Sequence, residues 1–425
     1  MDVHHNYATT LQQGLITGGA YSFQFTEDYL RENAPTNNIN PSMYPGLSFN
    51  FQHSLLQGLG IGVNSRYIRE AKIRASGAKD AFRSQLLDLV SNVLNLYWDL
   101  VSGNDTVKAR QRAVEIAQKF YEDTNNEIRL GVLAGVELPR ASAELASRRQ
   151  ELLLAQQTVR QQELQLKDAL SREQDPALES AAIIPLDRIE VPAEENLPPL
   201  RELVARAMAK RPDVAVAKVN DEIQSLDAIG TVNGLLPTSV GFFSVKDGGA
   251  DGAGQIVDGT LPNPENVGNL GTALGQIFRR DYPSERIGAY LVIPFRNQFA
   301  QAEYGIDQLK LQQSQLSGQR TNNQIVVEIS RQLTALRQAR ARYMAAVNTR
   351  TLQEQLLEAE QNRFALGQAT ITSLIVVQRS LVAAQTSELT ALANYQHARI
   401  SLNQELGETL EANHVSVEES LKERP

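Results

Sequence analysis

Four groupings in the sequence have the residue types for chemistry, and spacing decides what each can do. His4 and His5 bring two imidazoles that a metal would accept, yet adjacent residues point in different directions and no H-E-x-x-H pair stands elsewhere to complete a zinc site. The glycine-rich run KDGGADGAG, residues 246–254, offers backbone amides to a phosphate. It lacks the G-x-x-x-x-G-K-[ST] order and opens no helical pattern, so a mobile external loop is expected there. Glu354 and Glu358 lie four apart on one helix face, as an acid–base pair would, but no apolar pocket surrounds them in the pattern and solvated carboxylates are expected. Tyr97 and Trp98, in NLYWDL, have the area of a ligand platform; such a pair more often packs one helix on its neighbour. With no cysteine at all, thiolate zinc sites, disulfides and cysteine nucleophiles are removed together. No Ser-His-Asp, metal or nucleotide constellation remains, so no catalysis, cofactor or metal is expected.

The elements that would have to position such residues are unusual. The stretches RLGVLAGVEL (129–138) and ALGQATITSL (365–374) interrupt a helical pattern in the same way, and Gly131 and Gly367 stand 236 positions apart (367 − 131). Sliding the chain on itself by that interval lays Leu130, Leu138, Leu145 and Leu166 on Leu366, Leu374, Leu381 and Leu402 without a gap. The chain is therefore an internal duplication. Apolar residues recur at threes and fours in each arm, as in Phe82, Leu86, Leu89, Val93, Leu96 and Leu100, which predicts one buried stripe per helix. Helical pattern runs over about 63–128 and about 300–364, and at 1.5 Å per residue each arm is roughly 100 Å long. Each arm turns at its Leu-Gly, where glycine supplies a left-handed cap, and returns for about 35 to 40 residues behind Pro139 in one copy and Thr370 and Thr372 in the other.

Between the hairpins the period changes from 3.6 to 2. Tyr21, Phe23 and Phe25 alternate with Ser22, Gln24 and Thr26, and Leu47, Phe49 and Phe51 alternate with Ser48, Asn50 and Gln52. SVGFFSV (239–245) and IGAYLVIPF (287–295) add a second strand pair. Polar loops, ENAPTNNINPSMYP and DGGADGAGQIVDGTLPNPENVGNLG, join the members of each pair. The predicted organisation is a first strand pair over 1–60, a long helical hairpin over 61–170 with its tip at 130–137, and a linker over 171–200. A helix over 201–235 leads into a second strand pair over 236–297, followed by a second hairpin over 298–407 with its tip at 366–373 and a polar, fraying tail over 408–425. Four strands cannot close a barrel, so several copies must associate, aromatic residues outward and Ser, Asn, Gln and Thr towards water.

A net charge of −8 and the absence of any Lys/Arg block argue against nucleic acid as partner. No apolar run approaches the ~20 residues of a membrane helix. The start, MDVHHNYATT, has no secretory signal, and the helix that introduces the second unit has no counterpart before the first, so a truncated N-terminus is expected.

In this order and twice over, the motifs resemble those of the TolC family of outer-membrane efflux proteins. LGVLAGVEL and LGQATITSL resemble the hairpin tips, FQHSLLQGLG the passage from strand to helix, AMAKRPDVAVAK the Arg-Pro segment, and GLLP and VIPF the entry to and exit from the second strand pair. The resemblance covers nearly the whole chain. It implies a mainly α fold with a β-barrel part: a homotrimer of four strands per protomer, set in outer-membrane lipid, with a helical tunnel in the periplasm. It further implies a periplasmic adaptor (membrane fusion) protein docked on the tips and an inner-membrane pump of RND, ABC or MFS type. The positions that match the adaptor-facing tips are Leu130, Gly131, Val132, Leu133, Ala134, Gly135 and Val136, with Leu366, Gly367, Gln368, Ala369, Thr370, Ile371 and Thr372.

The chain departs from the family at the periplasmic entrance. Where the family type protein has acidic residues after the second tip, Ser373 and Val376 stand here, which removes the basis for an acidic iris. Glu137, Arg140 and Arg379 lie nearby and are expected either to form an alternative polar latch or to be solvated first-turn residues. A protein-secretion exit duct would use the same tube, and a soluble coiled-coil scaffold would use the same hairpins. Two pairs of polar-faced aromatic strands serve the first of these and have no place in the second.

Overall fold

A computed structural model describes residues 2–33, 36–171 and 181–422. Elements follow the chain as β1 (Val3–Gly14), β2 (Gly19–Arg31), β3 (Ile39–Ser54), α1 (Arg66–Arg129), α2 (Glu137–Leu170), α3 (Leu200–Lys210) and α4 (Pro212–Gly234). There follow β4 (Thr238–Gly248), β5 (Asp251–Gly254), α5 (Leu270–Arg279), β6 (Ser284–Val292), α6 (Gln298–Ala365) and α7 (Ile371–Glu405). The chain divides into two compact units, 1–77 with 218–317 and 78–217 with 318–425.

The first unit holds an antiparallel sheet in the order β1-β2-β3-β4-β6, with β5 paired to β3. Alternation separates its two faces. Residues directly opposite in the register share a face, so Phe23 lies beside Phe49, ring centroids 4.7 Å apart, and Phe49 meets Phe243, its diagonal neighbour on the same face, at 6.4 Å. On the other face the Ser244 hydroxyl donates to Asn50 Oδ1 at 2.7 Å, and Asn50 Nδ2 donates to the Ser22 hydroxyl at 3.4 Å. One face is thus an aromatic band and the other a hydrogen-bonded polar ladder.

The four expected strands are all present, and the described residues contain two more. β1 was not foreseen, and β5 arises where a loop was expected. The supposedly mobile loop is ordered: it carries β5 and then α5, whose N-terminus is closed by a capping box in which Asn269 Oδ1 accepts from Gly271 and Thr272 amides and the Asn269 amide donates to Thr272 Oγ1. Ala34 and Pro35 of the first loop lie outside the described residues.

The second unit is helical. It holds most of α1 and α6, single helices of 64 and 68 residues whose first turns belong to the first unit, and α2 and α7, which return for 34 and 35. Its largest buried cluster joins Leu203 and Ala207 of α3, Val214 of α4, Ile325, Ile329, Leu333 and Leu336 of α6, and Tyr395 and Leu402 of α7. The expected α1 stripe is only partly buried: Leu100 is buried, together with Leu87 and Val101 outside the predicted set, whereas Leu89 is half exposed. Tyr395 is fully buried and its hydroxyl donates to Glu195 Oε1 at 2.7 Å; burial, then that carboxylate, push its pKa up to about 12.

The linker is strapped to these helices. The Tyr97 hydroxyl donates to Asp187 at 2.5 Å, Glu163 accepts from the Ile183 amide at 3.0 Å, and Arg340 reaches the carbonyls of Pro192 and Ala193. Residues 172–180 of the predicted linker lie outside the described residues. The lead-in segment is two helices, α3 and α4, the second restarting at Pro212 as its proline implies, and the Arg211 guanidinium at the break meets Asp213 at 2.8 Å, Glu328 at 3.1 Å and Glu405. Nor does the start of the tail fray. α7 ends in a left-handed Gly407, and Thr409 and Leu410 are buried just beyond it, with Thr409 beside Ser91. Residues 423–425 lie outside the described residues.

Candidate functional site: hairpin tips and the charged tie behind them

Both tips are closed by the same backbone motif. At the end of α1, Gly131 has φ 74; its amide donates to the Ile128 carbonyl at 3.0 Å and the Val132 amide to the Glu127 carbonyl at 2.9 Å. At the end of α6, Gly367 has φ 70; its amide donates to Phe364 at 2.9 Å and the Gln368 amide to Arg363 at 2.8 Å. This paired bonding is the Schellman cap, and it needs a left-handed residue that glycine supplies without a Cβ clash.

The returning helices start differently. Thr370 caps α7 by accepting from the Ser373 amide at 3.1 Å, while its own amide donates to the Ser373 hydroxyl at 3.2 Å. α2 has no side-chain cap at Val136. There the Glu137 and Leu138 amides donate to the Ala134 and Gly135 carbonyls at 3.1 and 3.4 Å, and Pro139 has no amide to satisfy.

These caps hold apolar side chains out into solvent. Leu130 is 78%, Val132 69%, Val136 62% and Leu366 72% exposed. Gly131, Ala134, Gly135, Gly367, Gln368, Thr370 and Thr372 are exposed as well, and Leu133 and Ala369 are half-buried. Ile371 departs from expectation. At 4% exposure it packs inward with Leu374 and Ile375 as the first buried rung of α7, and so is no surface residue of the tip.

Behind the tips the charged residues form a chain of contacts, with partners other than those foreseen. Arg140 donates to Glu137 on its own helix at 3.1 Å and to the Thr372 hydroxyl of the other hairpin at 3.1 Å. Arg379 does not meet Glu137. It grips Glu144 through Nη2 at 2.5 Å and Nε at 2.8 Å, and that bond and charge hold its guanidinium above its ordinary pKa. Glu144 is buried and also accepts from Arg148 at 2.6 Å; Arg148 reaches Glu151 at 2.9 Å, and Glu151 receives Arg110 of α1 at 2.7 Å. One run of charges therefore ties α7 to α2 and α2 to α1. Ser373 is spent in the helix cap and Val376 is 55% exposed, so neither joins the tie.

Glu144, Arg148 and Glu151 were missed. Their signal was present: Glu137, Arg140, Glu144, Arg148 and Glu151 alternate in sign at steps of three and four along one helix face. Among the described residues no group of His, Cys, Asp or Glu could hold a metal, and no helix is long and apolar enough to cross a membrane. His4 and His5, adjacent on β1, take opposite faces of the sheet; His4 lies 3.5 Å from Asp28 and His5 against the Tyr29 ring. Trp98 packs edge-on to Tyr97, and Glu354 pairs with Arg350 at 2.7 Å.

Residues 29–172 match the family described as outer membrane efflux protein. A comparison with curated proteins finds no match. Solved structures cover nearly the whole chain. The outer membrane protein VceC of Vibrio cholerae aligns with 96% of this chain and 87% of its own, at 17% identity and a TM-score of 0.68. The Campylobacter jejuni CmeC outer membrane channel covers 100% of this chain and 81% of its own, at 16% identity and a TM-score of 0.63. The Neisseria gonorrhoeae MtrE outer membrane channel, solved in an open state, covers 96% and 81%, at 17% identity and a TM-score of 0.63.

Proposed function

We propose that this chain, whose residues 29–172 match the outer membrane efflux proteins and whose whole length has the fold of outer-membrane channels, is the outer-membrane channel of a tripartite efflux system. It works as a passive trimeric conduit from periplasm to exterior and catalyses nothing. The observation that carries this reading is the two-faced sheet. An aromatic band on one side and a polar ladder on the other suit a wall between lipid and water, and a sheet with free edges suits closure by further copies. A coiled-coil scaffold has no use for such a wall.

The helical hairpins extend the conduit through the periplasm. Half-exposed or exposed leucines along α2 and α6, among them Leu153, Leu154, Leu309 and Leu316, are the surface on which neighbouring copies pack. At the tips, Leu130, Val132, Val136 and Leu366 are the apolar contacts for a periplasmic adaptor, which in turn couples to an inner-membrane pump. The Arg379–Glu144 contact is the latch at the entrance, in place of an acidic iris: it ties the two hairpins together, and opening the entrance separates them.

Native mass spectrometry on protein extracted from the outer-membrane fraction tests the reading, followed by conductance in a planar bilayer. A trimer that conducts is expected. A soluble monomer or dimer would overturn it.

A further inference from the structure

The polar face of the sheet is not neutral along its whole height. By register, Ser22 and Gln24 of β2, Ser48 and Asn50 of β3, Ser244 and Lys246 of β4, and Ser284 and Arg286 of β6 share that face. Lys246 stands opposite Ser284 and Arg286 opposite Ser244, so the two cations are diagonal neighbours rooted about 7 Å apart. Both are exposed, and neither has a hydrogen bond or ion pair with another described residue. The hydroxyls and amides around them solvate a charge without cancelling it.

The acids that could cancel it are kept elsewhere. Asp247 follows Lys246 and Glu285 precedes Arg286, and the period of two turns both carboxylates to the aromatic side. There Asp247 is buried opposite Leu47, and Glu285 is taken by Arg280. In the described strands the polar face has one acid, Asp28, four residues along β2 from Gln24 and so roughly 13 Å from the level of Lys246. Asp28 is engaged as well: Asn6 Nδ2 donates to it and His4 Nε2 lies 3.5 Å away.

The same face is kept clear of bulk at this level. Phe242 lies on it, but its ring leans over Gly288, where a Cβ would stand 2.8 Å from Phe242 Cζ. Lys246 and Arg286 are left as the long side chains standing free in front of the sheet. Like charges on neighbouring strands cost stability, so two unanswered cations side by side need a ligand or a task to account for them.

We propose that Lys246 and Arg286 form an anion-selecting ring inside the barrel, one pair from each copy, so that the outlet favours carboxylates, sulfonates and phosphates over cations of the same size. The proposal rests on the channel reading above, which makes the polar face the lining of the bore. Symmetry brings the pairs of all copies to one level, and a ring of one sign within a low-dielectric wall concentrates the opposite ion. Because the cations face one another across water, the preference is strongest at low ionic strength and fades as the Debye length shrinks.

The chain has no cysteine, so one engineered thiol reports its own surroundings. Ser244→Cys places it opposite Arg286 and two residues from Lys246, and Phe243→Cys places it on the aromatic face. Oligomers in outer-membrane fractions are treated at low salt with neutral, anionic and cationic methanethiosulfonates of similar size. The neutral reagent is expected to label Ser244→Cys, and the anionic one to outpace the cationic one there. Adding Lys246→Gln and Arg286→Gln should lower that rate ratio roughly tenfold, and each alone should lower it part of the way. A ratio unmoved by the double substitution overturns the proposal; if the double variant forms no oligomer, a ratio unmoved by both single substitutions does so. Absence of any oligomer from the unsubstituted chain, or a neutral reagent that labels Phe243→Cys and spares Ser244→Cys, is a different failure. It shows that the polar face lines no water, and the channel reading falls before any ratio is taken.

Discussion

Replacing Arg379 with alanine is the sharpest test of the entrance latch, because the structure separates the tie from the stability of the unit. The Arg379 side chain is 58% exposed and grips Glu144, itself 3% exposed, at 2.5 Å. Two charge-assisted bonds would be worth more in a dry site, but this exposure lets water and salt screen the pair, and about 0.5–1 kcal/mol per copy is the appropriate scale. If three latches release together, the closed entrance loses about 1.5–3 kcal/mol, which raises open occupancy roughly 10- to 150-fold. Glu144 keeps Arg148 as partner in the variant, so its carboxylate is not left unpaired. Glu144→Gln is the poorer probe. It also removes the buried negative charge that faces Arg148, although Arg148 keeps Glu151 at 2.9 Å, so it weakens the pairing within α2 as well as the tie to α7 and mixes stability with opening. The assay is single-channel conductance of reconstituted trimers, with thermal unfolding as control. Arg379→Ala is expected to leak at low salt where the unsubstituted channel is closed, with Arg379→Lys intermediate because a point charge replaces the fork. Closed-state conductance equal to that of the unsubstituted trimer, at equal thermal stability, would refute the latch.

Further expectations concern the tips, the core and pH. Leu130→Ser and Leu366→Ser each remove an exposed apolar contact and should weaken adaptor binding by about 1–2 kcal/mol, seen as a 5- to 30-fold rise in Kd by biolayer interferometry, with unfolding unchanged. Tyr395→Phe strips the half-buried Glu195 of a hydrogen-bond donor and should cost about 0.5–1.5 kcal/mol in denaturant unfolding; an unchanged midpoint would show the bond to be dispensable. Asp227 has its pKa raised by burial, then by Glu70 and Asp307. Its folded form therefore holds a proton more tightly than the unfolded chain, so its contribution is complete below the unfolded value near 4 and is lost as pH rises through the folded value. Asp227→Asn should accordingly raise the melting temperature by a degree or two at pH 7 and leave it unchanged below about pH 4.

Much of the fold was legible because long repetition amplifies weak signals. Two Leu-Gly interruptions in one register placed both tips, and the clean alternation of Tyr21 to Thr26 and of Leu47 to Gln52 placed β2 and β3. β1 was obscured because His5 and Thr9 separate Val3, Tyr7 and Leu11; both residue types are at home on either face, and the apolar alternation dissolves. α5 was hidden by its glycines, although Asn269 and Thr272 have the capping-box spacing and Ala273 and Ile277 are four apart. In the candidate site, sequence could place the tips but not the rotation of the helices behind them. The alternating charges from Glu137 to Glu151 were readable, whereas the choice of Glu144 over Glu137 as partner of Arg379 depends on which face α2 turns to α7. Burial of Ile371 is lost to sequence for the same reason.

The unequal openings of α2 and α7 leave the two tips unequal freedom to diverge. At the second tip Thr370 and Ser373 are committed to each other, and a change at either loosens the helix they start. At the first tip the turn is held by main-chain bonds and a proline, so apart from Gly131 its side chains owe nothing to the backbone and can be exchanged without harm to the hairpin. The two copies of the duplicated hairpin thus differ in how closely their tip side chains are bound to the backbone turn that carries them.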